Sequence, residues 1–226
     1  MVSCSVEIFG PALARHAKAS GVTFFGVDYR LAPENPAPCG VEDGFAALKY
    51  VSEHAAELNV DPKRIAVMGD SGGGCIAAGT ALLARDRGLS PALAKQILIY
   101  PMLDDRTHLD EGEDLHKFLT WQLHENVLSW KALLGEKAGK PEAEVSAYAA
   151  PARAESLRGL PPTYIDIGTL DLFRDENVEY VARMVKENVE VEFHLWPGLP
   201  HGFEGAAGTA IVKRVLASRE KAMQSF

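Results

Sequence analysis

Residues 65–74, IAVMGDSGGG, decide how the rest of the chain is interpreted. The run starts with apolar residues, as in a buried strand, and the residues that follow, CIAAGTALLARDRG at 75–88, are typical of a helix. Ser71 therefore lies in a sharp turn between a predicted strand and a predicted helix. Its glycine neighbours would let the two backbones pass closely. A serine raised on such a turn is typical of nucleophilic chemistry.

Two other interpretations of this turn do not fit the flanking sequence. The letters GDSGG also surround the nucleophile of trypsin-like proteases, but those enzymes place a histidine and an aspartate before the serine, on two β-barrels. Only 70 residues precede Ser71, and the sequence around it alternates helix and strand patterns. A phosphate-binding loop would carry a lysine at P-loop spacing, which this turn lacks. The pattern that fits is GxSxG, formed by Gly69, Ser71 and Gly73, in a nucleophile elbow.

Composition limits the classes of partner. With 226 residues and 47% hydrophobic content, the chain is predicted to form a single domain, residues 1–226, with a packed core. Lys and Arg number 23 against 31 Asp and Glu, and the net charge of −8 offers no basic surface to nucleic acid or anionic lipid. We therefore expect no nucleic-acid partner.

Cysteine usage and apolar run length predict the compartment. The cysteines are odd in number and fall in no CxxC or Cys/His spacing, which favours a reducing compartment over a disulfide framework or a metal site. They are Cys4, Cys39 and Cys75. The N-terminus has no basic segment before an apolar run, and no stretch approaches the ~18 apolar residues of a membrane span. The sequence predicts a cytoplasmic protein without a membrane span.

Strand and helix patterns alternate along the whole chain, which predicts a parallel sheet. Residues 10–21, GPALARHAKASG, are interpreted as a helix, with Pro11 near its start and Gly21 at its C-terminal cap. They lead into VTFFGVDY at 22–29, interpreted as a strand. After a proline-rich loop, residues 41–58 are interpreted as another helix.

A nucleophilic serine needs a base and an acid, which follow it in the order Ser, Asp or Glu, His on a nucleophile elbow. The predicted strand TYIDIG, residues 163–168, runs into a loop that carries Asp171. The later segment VEVEFHLWPGLPHGF, residues 189–203, is interpreted as a strand whose end runs into a Pro and Gly loop that carries His201. These positions predict Asp171 as the acid and His201 as the base.

The competing histidines and acids fit structural roles better. His194 alternates with Glu190 and Glu192 along its strand, so it is predicted on the solvated face. The remaining histidines lie on helices before the serine or at polar positions of the 105–130 region: His16, His54, His108, His116 and His124. Asp166 lies within its strand, and Asp175 and Glu176 fit the first turn of a helix, where they favour the helix dipole.

Several longer segments carry a family resemblance. In chain order they are DYRLAPENP (28–36), GDSGGG (69–74), YPMLDDRT (100–107), YAAPARAESLRGLPPTYIDIGTLDLFRDE (148–176) and PGLPHGF (197–203). Over nearly the whole chain they resemble the hormone-sensitive-lipase group of α/β-hydrolase esterases. The resemblance implies an α/β-hydrolase fold, a mainly parallel sheet flanked by helices.

The resemblance also implies a reaction and its residues. Ser71 would be the nucleophile, Asp171 the acid and His201 the base, with the amide of Gly72 in the oxyanion hole. The implied activity is that of a serine carboxylesterase that hydrolyses short-chain acyl esters, including aryl esters, through an acyl-enzyme. Such an enzyme acts on a small-molecule ester and needs no metal or cofactor.

One departure from the family affects both fold and activity. The family carries a His-Gly-Gly-Gly motif whose amides supply much of the oxyanion hole, and this sequence contains none. The expectation is an α/β-hydrolase that lacks the first strands and the cap helices. The segments 22–29 and 64–69 would then pair directly or leave backbone groups unpaired. The alternative function is a catalytically impaired or non-catalytic ligand-binding member, although such receptors tend to lose the histidine that is present here as His201.

Residues 105–147 are predicted to form a helical, lid-like insertion within the single domain. Apolar residues recur there at helical spacing: Leu115, Phe118, Leu119, Leu123, Val127, Trp130 and Leu134. In the family this part of the chain covers the acyl pocket. Core packing is the alternative meaning of the stripe.

Overall fold

A parallel sheet of four strands organises the computed structural model, which describes residues 1–226. The strands are β1 Ala66–Asp70, β2 Lys95–Ile99, β3 Thr163–Leu170 and β4 Val191–Pro200. They lie in the order β1-β2-β3-β4, and every neighbouring pair is parallel. Since parallel neighbours need crossover connections, helices lie between the strands along the chain. The predicted α/β fold with a parallel sheet is confirmed.

Six α-helices flank the strands along the chain. They are α1 Val6–Ser20, α2 Cys39–Glu53, α3 Gly72–Asp86, α4 Leu123–Leu134, α5 Arg174–Lys186 and α6 Ala210–Gln224. The predicted cap of α1 is present, because Gly21 has φ 72° and its amide donates to the carbonyl of Ala17. The predicted start near Pro11 is wrong, because Ser5 caps the helix by accepting the amide of Ile8, and Pro11 lies inside it. The predicted helix over 41–58 is too long, since α2 ends at Glu53 and turns follow. None of the helices combines the length and the apolar character that a membrane span needs.

The core lies on both faces of the sheet. Strand β2 is buried over its whole length, and its side chains alternate between two apolar clusters, with Ile97 and Ile99 in one and Leu98 in the other. Helix α3 packs against β1 and β2 and is buried from Gly74 to Ala84. The helix also lies close to the turn at Tyr148, because a Cβ on Gly79 would lie 2.2 Å from the carbonyl oxygen of Tyr148.

The predicted strand at 22–29 is wrong. These residues have no regular secondary structure, and Phe25 and Val27 are exposed. Strand β1 pairs with β2 and forms the edge of the sheet, so residues 22–29 do not pair with it. Strand β1 is half-buried. A cavity of about 700 Å³ is lined by both segments. The apolar pattern alone does not make a strand, because backbone N–H and C=O groups also need a hydrogen-bonded partner strand.

The region 105–147 lies between β2 and β3 and contains α4 and two short 3₁₀ helices. Part of its predicted apolar stripe packs into the core, where Leu115, Leu119 and Trp130 are buried. Phe118 and Val127 are exposed instead, so the stripe does not form one buried face. The lid-like role of this region stays a prediction.

Candidate active site

Ser71 occupies the turn between β1 and α3 in a conformation that residues other than glycine rarely adopt. Its φ is 54° and its ψ is −118°. Three backbone hydrogen bonds hold the turn. The Ser71 amide donates to the carbonyl of Ile99 at 2.9 Å, and the Ser71 carbonyl accepts from the amides of Met102 at 3.1 Å and Cys75 at 3.2 Å. The end of β2 and the start of α3 together fix the strained residue.

Glycine is required at two positions around this turn. A Cβ on Gly69 would lie 2.1 Å from the carbonyl oxygen of Gly73, and a Cβ on Gly74 would lie 2.7 Å from the Cβ of Pro101. A Cβ on Gly73 would meet nothing within 4 Å. The close passage of strand and helix therefore depends on Gly69 and Gly74, and the second glycine of the GxSxG pattern is sterically free.

The structure brings together the serine, histidine and aspartate predicted from the sequence. Asp171 directly follows β3 and His201 directly follows β4, so both lie at the carboxyl edge of the sheet beside Ser71. The Nε2 atom of His201 is 2.9 Å from the Oγ atom of Ser71, and its Nδ1 atom is 2.7 Å from Oδ2 of Asp171. The three side chains form one hydrogen-bonded line from a buried carboxylate to a hydroxyl at the cavity.

The neighbours of Asp171 and His201 fix both side chains. Asp171 is fully buried, and its Oδ1 atom accepts the amide of Phe173 at 2.9 Å. The rings of Tyr100 and Phe173 meet the imidazole edge-on, with centroids 4.6 Å and 5.2 Å from its own. The hydroxyl of Thr120 donates to the carbonyl of His201 at 2.6 Å. The imidazole therefore has aromatic walls and an anchored backbone.

The predicted oxyanion donor, Gly72, is the first residue of α3. The amides of the first helical turn have no partner inside the helix, and they lie at the positive end of its dipole. The surroundings of Gly72 are close. A Cβ there would lie 3.0 Å from the backbone nitrogen of Met1 and 3.3 Å from its Cγ. The first residue of the chain thus lies directly beside the predicted oxyanion site.

The acids and the histidine that the sequence analysis assigned to structural roles have partners outside the proposed active site. Asp175 pairs with Arg174, and Asp166 is buried against Arg219. Glu176 lies in the first turn of α5 as predicted, but it is buried and accepts the amides of Leu103 and Asp104. Burial raises the pKa of Glu176 well above its ordinary value.

His194 is half-buried rather than fully solvated, and it lies 2.8 Å from Glu192 and stacks on Trp196.

Sequence reasoning missed a buried charged cluster beneath His201. Arg219 contacts Asp166 and Glu204, and the hydroxyl of Tyr100 donates to Glu204. One signal was available: Arg219 interrupts the apolar stripe of α6, whose other buried members include Val212, Val215 and Ala222. A charged residue at a core position is rarely buried without a partner. No group of three or more His, Cys, Asp or Glu side chains is placed to hold a metal ion.

The cavity in front of Ser71 is the space that a substrate could enter. It reaches Ser71, Gly72 and His201, and most of its lining residues are hydrophobic. Tyr29 and Trp121 are among them. An apolar cavity with a few polar groups at one end suits a small organic molecule.

The fold and the arrangement of these side chains define the class of protein. The family described as alpha/beta hydrolase fold matches residues 1–205, and the chain belongs to this family. The resemblance to the hormone-sensitive-lipase group of esterases is confirmed by the relatives that follow.

Two esterases of Mycobacterium tuberculosis and one solved structure are similar to this chain. Esterase LipI is 39% identical over 201 residues, which cover 86% of this chain and 59% of LipI. Carboxylesterase NlhH is 38% identical over 210 residues, which cover 88% of this chain and 61% of NlhH. The structure of a bacterial heroin esterase is 42% identical with a TM-score of 0.92, and the match covers 99% of this chain and 70% of that one. The chain thus spans about three fifths of the length of these curated relatives.

Proposed function

We propose that this chain carries the catalytic centre of a serine carboxylesterase. The observation that carries the proposal is the hydrogen-bonded line from Asp171 through His201 to Ser71, with distances of 2.7 Å and 2.9 Å. Ser71 begins that line on a turn with positive φ at the mouth of an apolar cavity. The membership in the α/β-hydrolase family and the esterases among the relatives support the same reaction class.

The geometry supports an acyl-enzyme mechanism. His201 takes the proton of the Ser71 hydroxyl at Nε2 while the serine oxygen attacks the ester carbonyl. Asp171 accepts the Nδ1–H of the imidazole and stabilises the imidazolium that forms. The imidazolium then protonates the leaving alcohol, which leaves an acyl group on Ser71. Water, activated by the same histidine, releases the acid and restores the serine.

The negative charge of the tetrahedral intermediate needs hydrogen-bond donors. The amide of Gly72 is suited to this role, because it lies at the N-terminus of α3 next to the nucleophile. The mechanism assigns a role to each predicted site residue: Ser71, Asp171, His201 and Gly72.

We further propose short-chain acyl esters, including aryl esters, as the substrates. The cavity of about 700 Å³ is lined mainly by hydrophobic residues, which favours an uncharged, partly aromatic ester over a charged one. A non-catalytic binding role is not favoured, because the histidine that such a protein could lose is present and contacts both Ser71 and Asp171.

The test is hydrolysis of p-nitrophenyl esters of increasing acyl length by the purified chain, together with covalent labelling by a fluorophosphonate. The phosphonate should add to Ser71, as shown by mass spectrometry of the peptide. The Ser71→Ala variant should lose the label and at least about 10⁴-fold in kcat, because the nucleophile is removed. The exposed Ser146→Ala variant is the matched control and should keep both. Label and turnover that persisted in Ser71→Ala would reject the assignment.

A further inference from the structure

A buried charged cluster connects three parts of the chain beneath the proposed active site. Arg219, from α6, is 1% exposed and contacts the carboxylate of Asp166, on β3, through two hydrogen bonds of 2.6 Å and 2.8 Å. Its third nitrogen donates to Glu204. Burial lowers the pKa of the Arg219 guanidinium, but Asp166 and Glu204 outweigh this effect and raise the pKa above its ordinary value. Arg219 therefore stays charged.

Glu204 links this cluster to the loop of His201. It lies in the 3₁₀ helix Phe203–Ala206, three residues after the histidine, and Gly202 between them has φ 65°. One carboxylate oxygen accepts from Arg219 and the other from the hydroxyl of Tyr100 at 3.0 Å. Glu204 thus ties the turn behind His201 to α6 and to the end of β2.

Tyr100 makes a second connection to the same histidine. Its hydroxyl donates to Glu204, and the edge-on contact of its ring with His201 has a centroid distance of 4.6 Å. Its backbone amide donates to the carbonyl of Asp166 at 2.7 Å. The guanidinium of Arg219 lies over the rings of Tyr100 and Phe203, at 5.4 Å and 5.0 Å from their centroids. Each group that fixes the histidine loop from below is itself fixed by Arg219 or Asp166.

The energetics of such a cluster favour a positioning role over a purely stabilising one. Buried ion pairs contribute little net stability, because the cost of removing the charges from water offsets their attraction. In some proteins buried ionic groups specify a single geometry instead, since a shifted partner would leave a buried charge unpaired. Proton transfer between Ser71 and His201 depends on such a geometry, and a misplacement of about 1 Å can cost about 10²-fold in rate.

We propose that Glu204 is a positioning residue for His201, which it holds in register with Ser71 and Asp171 through its hydrogen bonds from Arg219 and Tyr100. The inference rests on the proposed esterase function. Glu204 touches neither Ser71 nor the cavity, so its effect on turnover passes through His201.

The test compares Glu204→Ala and Glu204→Gln with the control Glu190→Ala, which removes the same charge from an exposed position. Glu204→Ala should lower kcat by about 10- to 100-fold and change KM by less than about twofold, because the histidine moves while the cavity does not. Glu204→Gln should fall between wild type and Glu204→Ala, since an amide oxygen can keep one of the two hydrogen bonds. Glu190→Ala should match wild type.

A second readout does not depend on turnover. The proton shared by His201 Nδ1 and Asp171 should give a far low-field resonance in the proton spectrum, identified by its absence in His201→Ala. Glu204→Ala should broaden or abolish this resonance, and Glu190→Ala should keep it. If Glu204→Ala does not fold, Tyr100→Phe together with Glu204→Gln carries the test, because Tyr100→Phe keeps the ring and removes only its hydrogen bond.

The possible results separate this inference from the proposed function. Wild-type kcat and an unchanged resonance in folded Glu204→Ala would overturn the positioning role. An equal fall in Glu190→Ala would overturn it as well, because the effect would then follow net charge. A wild-type chain without turnover whose low-field resonance depends on Glu204 would reject the esterase function and support the positioning role.

Discussion

Asp70 precedes the nucleophile and has an unusual protonation behaviour for a carboxylate. It ends β1 and lines the cavity. Burial, with smaller contributions from the charges of Glu204 and Asp166, raises its pKa from 3.8 to about 7, against the opposing effect of Arg219 and His201. Near neutral pH its proton is therefore gained and lost beside Ser71.

This pKa predicts how Asp70 changes stability with pH. Between pH 4 and 7 the native state holds a proton on Asp70 that the unfolded state has lost, so the free energy of unfolding falls as pH rises through this range. Asp70→Asn removes the titrating group. It should be more stable than wild type by about 1 to 3 kcal/mol at pH 8, below the value for a fully buried carboxyl because the cavity admits water. Urea unfolding at pH 5 and pH 8 measures the difference, which at pH 5 should be about half its pH 8 value or less and should vanish only below about pH 4, where the unfolded carboxyl is protonated too. A difference that is independent of pH would contradict the assigned pKa.

The proposed active-site residues could be predicted from the sequence because each follows a strand within a few positions. Ser71, Asp171 and His201 come at the ends of apolar runs, and parallel strands bring their carboxyl ends to one edge of the sheet. Glu204 and Arg219 could not be predicted in this way. Their contacts join residues that are distant in sequence, and only the three-dimensional packing brings them together.

The crossing of β1 and α3 is the element that places Ser71. Strand and helix backbones meet most closely at Gly69, whose missing side chain leaves space for the carbonyl of Gly73. A Cβ at position 69 and the backbone oxygen of Gly73 both have positions fixed by the backbone, so no side-chain rotation could relieve their clash. The strained φ of Ser71 is imposed by this crossing and by its hydrogen bonds to the end of β2.

Alanine substitutions at the two glycines of the GxSxG pattern should have opposite effects on stability. Gly69→Ala places a Cβ 2.1 Å from a backbone oxygen and should lower the free energy of unfolding by about 3 kcal/mol or more. Gly73→Ala lies in the first turn of α3 with open space and should change it by less than about 1 kcal/mol, toward higher stability. Urea unfolding of both variants measures this contrast. Equal losses would mean that the glycines act through something other than the close passage at Gly69.

The segment 22–29 shows where element prediction from sequence fails. Its alternating apolar letters are as strand-like as those of β1, yet only β1 has a neighbour that offers a hydrogen-bonded ladder. Strand formation depends on a partner, and the partner is not encoded in the segment itself. Phe25 and Val27 are left exposed as a result.

The whole molecule has an open side, which lies beside the active site. The cavity of about 700 Å³ extends from the edge of β1 to residues 21–29 and is continuous with the space around Ser71, Gly72 and Met1. The sequence of this chain carries no His-Gly-Gly-Gly motif, and the curated relatives are longer than the matched region. Within the described residues, the amide of Gly72 is the one oxyanion donor that the sequence predicted. The predicted oxyanion donor and the edge of β1 therefore border the same cavity.

The 226-residue chain, assayed by itself, should therefore hydrolyse esters more slowly than the same chain joined to the upstream strand and His-Gly-Gly-Gly segment of a relative. Removal of one oxyanion donor typically costs about 10²- to 10³-fold in kcat, so the extension should raise kcat on a short-chain p-nitrophenyl ester by at least about 10²-fold. The amides of β1 should also gain protection from hydrogen exchange if the added segment pairs with the open edge. The matched control is the same extension with His-Ala-Ala-Ala in place of His-Gly-Gly-Gly, which tests whether the glycines themselves are needed. Equal kcat with and without the extension would mean that residues of this chain, such as the backbone of Met1 beside Gly72, already supply the missing donors.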